Sequence, residues 1–245
     1  MRWLTAILVG AIGLSSVFAS PALACPPDSA QVGQICVDKY EASVWETTDA
    51  TLIRLIRSGN VTNAQLLAGG AIQRGVGADD YPCADNGNDC ATIYAVSIPG
   101  VTPAAFITWF QAQQAAANSG KRLLTNDEWQ TAAAGTPDGA PCIVGAAGPG
   151  PTGTADCVSR WGVFDMVGNI TEWVAEWLPL STACPGWGGF SFDHMCLAGA
   201  STGDGPGALA RGGDFSTGSG SGVFAVYGNQ TPDISSAFNG FRAGH

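Results

Sequence analysis

Lysine is almost missing. Lys39 and Lys121 are the only two among 245 residues, and charged side chains make up 12% of the chain, where about 25% is usual. Nucleic acid is gripped through clustered cations, so it is not an expected partner. The same shortage leaves no polybasic patch for anionic lipid. Histidine is confined to His194 and His245, too few for a three-histidine metal centre. No CxxC pair or P-loop occurs, and the one GxSxG string, GASTG at 199–203, has no helical pattern after it to make a nucleophile elbow, which removes the usual sequence marks of thiol redox, serine-hydrolase and nucleotide chemistry. After the first 24 residues no apolar run approaches the roughly 20 residues that a membrane-spanning helix needs.

Glycine is what the chain has in excess, with 34 residues against an average near 7%. Disorder does not follow, because 46% of residues are hydrophobic and 8 Trp and 10 Phe can fill a core. The balance of 20 Asp and Glu against 10 Lys and Arg is acidic. The length fits one large domain, or two small ones at most.

Arg2, an apolar run over residues 4–18 and the small-x-small series Ala22-Leu23-Ala24 form the pattern of an export signal. Residues 1–24 are therefore set apart from a domain over residues 25–245, which is expected to be secreted or held at the cell surface. A signal anchor is the alternative, but the run is short for one. Cys25 would be the first mature residue, a position that can carry lipid. Ala22 stands where lipoprotein signals usually carry Leu and argues against lipidation, as does cysteine parity. The eight cysteines, Cys25, Cys36, Cys83, Cys90, Cys142, Cys157, Cys184 and Cys196, form four pairs in sequence order. An even count in an exported chain reads as a disulfide framework. Many connectivities are open; pairing of sequence neighbours is the economical one, because each partner is already close along the chain.

Val32, Ile35, Val37, Tyr40 and Val44 alternate enough to predict an early strand pair over residues 32–44. Thr62 can cap a helical turn or two over residues 62–68. The acidic loop from Asp85 to Asp89 offers oxygens of the kind calcium takes, but it lacks EF-hand spacing and reads as an Asx turn tied by Cys83 and Cys90. Thr102-Pro103 predicts a helix start, with Phe106, Trp109, Phe110 and Gln113 at helical spacing and Gly120 as the stop. Thr125 and Glu128 form a capping box ahead of Trp129, and Gly135 ends that helix. Residues 136–160 read as a loop stapled by Cys142 and Cys157. Residues 179–245 have the texture of irregular structure with functional loops.

The strings KRLLTNDEWQTAAAG (121–135), GVFDMVGNITEW (162–173), RGGDF (211–215) and GFR (240–242) occur in this order, with CVDKYEAS at 36–43. The set resembles the formylglycine-generating-enzyme or sulfatase-modifying-factor domain and spans essentially the whole mature chain. The resemblance implies an α+β fold of the C-type-lectin-like type, with little regular secondary structure. It does not fix the chemistry. In the family's oxidases two cysteines after Arg-Gly-Gly hold copper. Counted from Arg211, those positions are Thr217 and Gly222, neither of which supplies the thiolate that copper(I) prefers. A related branch uses histidine-ligated iron, for which two histidines do not suffice. Neither copper nor iron is expected, and an oxidase acting on a sulfatase, or its inactive paralogue, is kept as the alternative. A Ser-His-Asp hydrolase around His194 lacks its elbow, so a loop histidine bonded to solvent or backbone is the plainer reading. One structural calcium is implied by residues 165–172, DMVGNITE, which resemble the family's calcium segment. Asp165 and Glu172 would give carboxylates, and Gly168 and Ile170 carbonyls. The family often has Asn where Asp165 stands. The alternative is a hydrogen-bonded turn with Trp173 and Trp177 packed in the core.

Residues 211–242, RGGDFSTGSGSGVFAVYGNQTPDISSAFNGFR, resemble more narrowly the variable C-terminal segment of lectin-fold proteins diversified by retroelements. There, adenine-specific copying errors rewrite a ligand-binding surface. The resemblance implies a constant frame of Arg211, Gly212, Gly213, Gly218, Ser219, Gly222, Val223, Phe224, Ala225, Pro232, Gly240, Phe241 and Arg242. It implies variable, ligand-binding positions at Asp214, Ser216, Thr217, Gly220, Tyr227, Asn229, Ile234, Ser236 and Phe238. Randomising both adenines of an asparagine codon reaches Asp, Ser, Thr, Gly, Tyr, Asn, Ile and Phe, but not Lys, Glu, Gln, Met or Trp. Every variable-like position falls in the reachable set; Gln230 does not and is assigned to the scaffold. Tyr227, Ile234 and Phe238 would be apolar anchors, Ser216, Thr217, Asn229 and Ser236 adaptable hydrogen-bonding groups, and Asp214 a single charge. The expected protein is an exported, non-catalytic, receptor- or adhesin-like binder of a protein or another surface macromolecule. An irregular β-rich end with no variable face is the duller alternative.

Overall fold

Alternation at the start of the domain becomes a hairpin. β1 (Ser29–Val32) pairs antiparallel with β2 (Ile35–Asp38), placing Ser29 opposite Asp38, and a Cys25–Cys36 disulfide staples it. The computed structural model describes residues 24–153, 156–185 and 191–245, with the backbone alone for residues 198–204. The export signal expected over residues 1–24 falls outside them, but for Ala24. A third strand, β3 (Ser43–Glu46), joins a separate sheet, and α1 (Ala50–Arg57) follows, its first turn capped by the Asp49 carboxylate. α2 (Asn63–Ala68) has the Thr62 cap that the sequence predicts, completed into a capping box by Gln65. β4 (Ile72–Arg74) and β5 (Ile93–Val96) flank β3 in a three-stranded sheet. Between them the Cys83–Cys90 loop holds an Asx turn, Asn88 N–H donating to Asn86 Oδ1 at 3.1 Å.

The helix expected from Thr102 starts later. α3 (Trp109–Asn118) is capped by Thr108 with Gln111 as the return partner. The backbone ahead of it is spent on tertiary partners instead. The N–H groups of Ala104, Ala105 and Phe106 donate to the carbonyls of Ala42, Gly75 and Ser236, and Phe106 has φ +54°. Proline preset φ at Pro103, but those three distant acceptors outcompete the helical ladder. Next come β6 (Arg122–Leu123) and α4 (Asn126–Ala132), whose Thr125 and Glu128 form the predicted capping box. α4 ends at Ala132, three residues before the expected Gly135 stop.

The C-terminal half is built on two long antiparallel strands, β7 (Thr171–Ala183) and β9 (Ala198–Arg211), with β8 (Met195–Cys196) between them in sequence. A 3-10 turn at Gly218–Gly220 leads to β10 (Val226–Gln230), then β11 (Asn239–Phe241) and β12 (Ala243–Gly244). One sheet runs β11-β7-β9-β10-β8 and a second β1-β2-β12-β6, so the chain's end closes onto its beginning. Trp129 and Trp173 are buried in the main core, and Trp45, on β3, in a separate cluster with Leu52 and Ile56 of α1 and Leu66 of α2. Each indole N–H is satisfied, by Glu172 Oε2, Ile107 O and Ser43 Oγ respectively. All eight cysteines pair in sequence order, Cys142 with Cys157 and Cys184 with Cys196 completing the set, and no free cysteine remains. Cys25 Sγ is thereby committed to Cys36. Among the described residues no helix is long and apolar enough to cross a membrane.

Candidate ligand-binding face

Arg211, the last residue of β9, is the post around which the following loop is wound. It is buried, stacks its guanidinium on Trp129 at 4.6 Å, and donates to Ala225 O at 2.9 Å, Val223 O at 3.2 Å and the Gln130 side chain. Burial lowers its pKa to about 10. Gly212 and Gly213 then turn the chain at φ +90° and +78°, and a Cβ on Gly213 would lie 2.4 Å from Ser221 Oγ. A Cβ on Gly222 would lie 2.1 Å from Asp193, whose buried carboxylate accepts from Phe224 N–H at 2.8 Å.

At the far end of the segment Gly240 passes the Ala104 carbonyl too closely for a side chain. Phe241 and Arg242 are fully buried. The implied frame is thus internal at Arg211, Gly212, Gly213, Gly222, Ala225, Pro232, Gly240, Phe241 and Arg242. Ser219 and Phe224 are exposed exceptions, and Gly218 and Val223 are half-buried.

The interleaved positions behave oppositely. Ser216, Asn229, Ile234 and Phe238 are exposed, and Asp214, Thr217, Tyr227 and Ser236 are half-buried. Gly220 departs from the expectation: it is buried, because the His194 ring lies where its side chain would project, 2.7 Å from a Cβ. Asp214 Oδ1 accepts from Ser216 N–H and Oγ, both at 2.7 Å, and Thr217 Oγ1 accepts from Asp214 N–H at 3.2 Å. Thr217 also bonds to Tyr227, whose hydroxyl lies 3.0 Å from His194 Nδ1; burial, partly offset by that Thr217 bond, pushes the phenol pKa up to about 12. Phe238 stacks on Phe215 at 5.3 Å, joining the end of the segment to its start. Phe238, Ser216, Asp214, Thr217 and Tyr227 therefore form one continuous patch with His194. No hydrogen bond or ring contact among the described residues ties Asn229 or Ile234 into it. His194 is the addition that sequence reasoning missed, having been read as a loop residue bonded to solvent or backbone; the signal for it was Gly220, which has to be small.

Residues carried over as a calcium segment are engaged by other parts of the chain. Glu172 accepts from Arg242 at 2.6 Å and from Trp129 Nε1 at 2.6 Å, both carboxylate oxygens in use. Asp165, at φ +59°, accepts from Gly153 N–H at 2.7 Å. Gly168 turns at φ +74°, and Ile170 N–H donates to Glu41 Oε1 at 3.1 Å. The Arg242 guanidinium already neutralises the Glu172 carboxylate, and a cation at this segment would have to compete with it. Trp173 packs in the core, whereas Trp177 is 43% exposed, edge-on to Trp109 and Phe110. At the two positions where the oxidases carry copper ligands, Thr217 belongs to the patch above and Gly222 is closed off by Asp193.

Three sheets, short helices, long loops and four disulfides make up an α+β fold of the C-type-lectin-like type. Residues 140–244 match the family of the Sulfatase-modifying factor enzyme 1-like domain. The fold is similar to that of the Major Tropism Determinant P3c variant, at 20% identity and a TM-score of 0.52, over 89% of this chain and 52% of that one. It is similar in the same measure to the M1 variant, at 20% identity and a TM-score of 0.52 over 91% and 53% of the two chains. The chain spans about half the length of these structures, and the likeness at this identity is one of fold. No curated protein matches in sequence.

Proposed function

We propose that residues 25–245 are an exported, non-catalytic binding domain, that residues 1–24 are its leader, and that the face built on Asp214, Ser216, Thr217, Tyr227, Ser236 and Phe238, with His194, meets the ligand. Asn229 and Ile234 extend it. The observation that carries the reading is the alternation along residues 211–242 between buried frame and projecting side chains. A rigid frame that holds small polar and aromatic groups outward costs little ordering on binding, and Tyr, Ser, Asn and Phe are the chemistry of adaptable recognition surfaces. The structures of similar fold are named as tropism determinants, which suits a protein or another surface macromolecule as ligand. Four disulfides suit an oxidising, extracellular setting.

The rival is an oxidase of the sulfatase-modifying kind. Copper loading followed by a peptide-cysteine oxidation assay separates the two: the binding reading expects no turnover above the metal-free control, and robust turnover by the wild-type protein overturns it. The genomic neighbourhood decides whether the face is diversified. A reverse transcriptase beside a near-copy of the 3′ coding end is expected, and the absence of both contradicts diversification.

A further inference from the structure

The sheet order β1-β2-β12-β6 gathers four ionisable side chains at one end of the N-terminal hairpin. Asp28 immediately precedes β1, Asp38 ends β2, Lys121 precedes β6 and His245 follows β12, its N–H donating to Cys36 O at 2.9 Å. Lys121 Nζ bridges Asp28 Oδ2 and Asp38 Oδ1, each at 2.6 Å, with almost no exposure of any of the three. One ammonium faces two carboxylates, so the group carries an uncompensated negative charge. Two atoms there are buried without any partner, Asp38 Oδ2 and His245 Nε2. A ligand atom from each of Asp28, Asp38 and His245 lies within 4.8 Å of the other two, the one such trio of His, Cys, Asp or Glu among the described residues. Asp28 also lines a cleft of about 320 Å³ with Lys39, Tyr40 and Gly59.

We propose that Asp28, Asp38 and His245 form a site for a divalent transition metal of the zinc class, independent of the binding face. One imidazole nitrogen and two carboxylate oxygens, completed by water, suit zinc; calcium asks for an all-oxygen shell of six or more donors. Asp38 Oδ2 is the oxygen that Lys121 leaves free, so ion and ammonium share the carboxylate pair. Bonds of about 2.0–2.2 Å would draw the three ligand atoms together by roughly an ångström. The bound ion would pin His245 to the β1–β2 hairpin.

The test is calorimetric titration of the purified, disulfide-bonded protein with zinc chloride, with cobalt(II) absorption as a spectroscopic readout and thermal unfolding alongside. One zinc per chain, a raised unfolding midpoint and cobalt d–d bands are expected. His245→Ala should weaken zinc binding by more than about tenfold, the scale reached by losing even a ligand's supporting partner, while His194→Ala leaves it unchanged. Asp38→Asn should do the same as His245→Ala but also disturbs Lys121, so His245→Ala, which spares the ion pair, decides. No zinc uptake overturns the proposal, as does uptake that survives His245→Ala or disappears with His194→Ala.

Discussion

Arg242 organises more of this molecule than any exposed group does. Its guanidinium, fully buried, donates to Glu172, to Phe164 O at 2.7 Å and to Asp38 O at 3.1 Å. Glu41 and Asp165 lie close enough to feel the same charge. Removing one partner of a buried ion pair costs about 3–5 kcal/mol. Arg242→Met should therefore lower stability in urea by about that order, because the buried Glu172 carboxylate loses its ion-pair partner. Gly222→Ala pushes a methyl into the Asp193 carboxylate and should cost about 1–3 kcal/mol by overpacking. Ser216→Ala, on the exposed patch, should stay within about 0.5 kcal/mol of wild type in the same urea titration. A loss at Ser216 comparable to that at Gly222 would mean that patch and frame are not distinct. The frame was legible because its glycines and arginines stand in recognisable strings; Asp193 and His194 were not, since they reach the loop from a stretch with no periodic signal, and Gln130 lies on the predicted helix α4 without any local mark of its tie to Arg211.

Element by element, the sequence spoke most clearly through caps. Thr62 and Thr125 sit at N-caps as expected, because a hydroxyl followed three residues later by Gln or Glu satisfies helix N–H groups locally. Thr102-Pro103 misled, because the donors that follow found acceptors on Ala42, Gly75 and Ser236, which no local pattern encodes. Thr108→Ala should thus cost about 1 kcal/mol, and Thr102→Ala should not produce a capping loss in parallel urea melts. The reverse ranking would place the helix start back at Thr102. β7 and β9 escaped sequence reading altogether, for Pro179, Pro206 and several glycines interrupt alternation, and register shifts absorb them. The disulfide framework was legible from proximity alone. Cys142 and Cys157 enclose the longest loop, a separation of 15, so Cys142→Ser with Cys157→Ser should cost roughly 3 kcal/mol on the chain-entropy estimate, more than loss of the Cys83–Cys90 bridge with its separation of 7.

For the molecule as a whole, buried acid is the main liability. Burial raises Asp165 to about 6, and burial, with Asp165 and Glu172 nearby, raises Glu41 well above the usual range. A carboxyl with a raised folded-state pKa favours the folded chain below its unfolded value and loses that contribution as pH climbs through the folded value. From this cluster, stability should fall between about pH 4 and pH 7, by roughly 3 kcal/mol for Asp165 alone. Asp165→Asn, whose side chain tolerates the positive φ at that residue, should flatten the pH dependence of the urea midpoint. An unchanged slope would show that Asp165 does not titrate in that window.

The binding account depends on a stable frame that leaves its face free to vary. Its most direct test is to display the protein with Asp214, Ser216, Thr217, Tyr227, Asn229, Ile234, Ser236 and Phe238 randomised together, pan the library on a model protein antigen, and measure affinity and unfolding midpoint of the selected clones. The account predicts folded clones with midpoints near wild type and an affinity that disappears when those eight positions are reverted. Clones that fold only with the wild-type residues restored, or binding that persists after reversion, would contradict it.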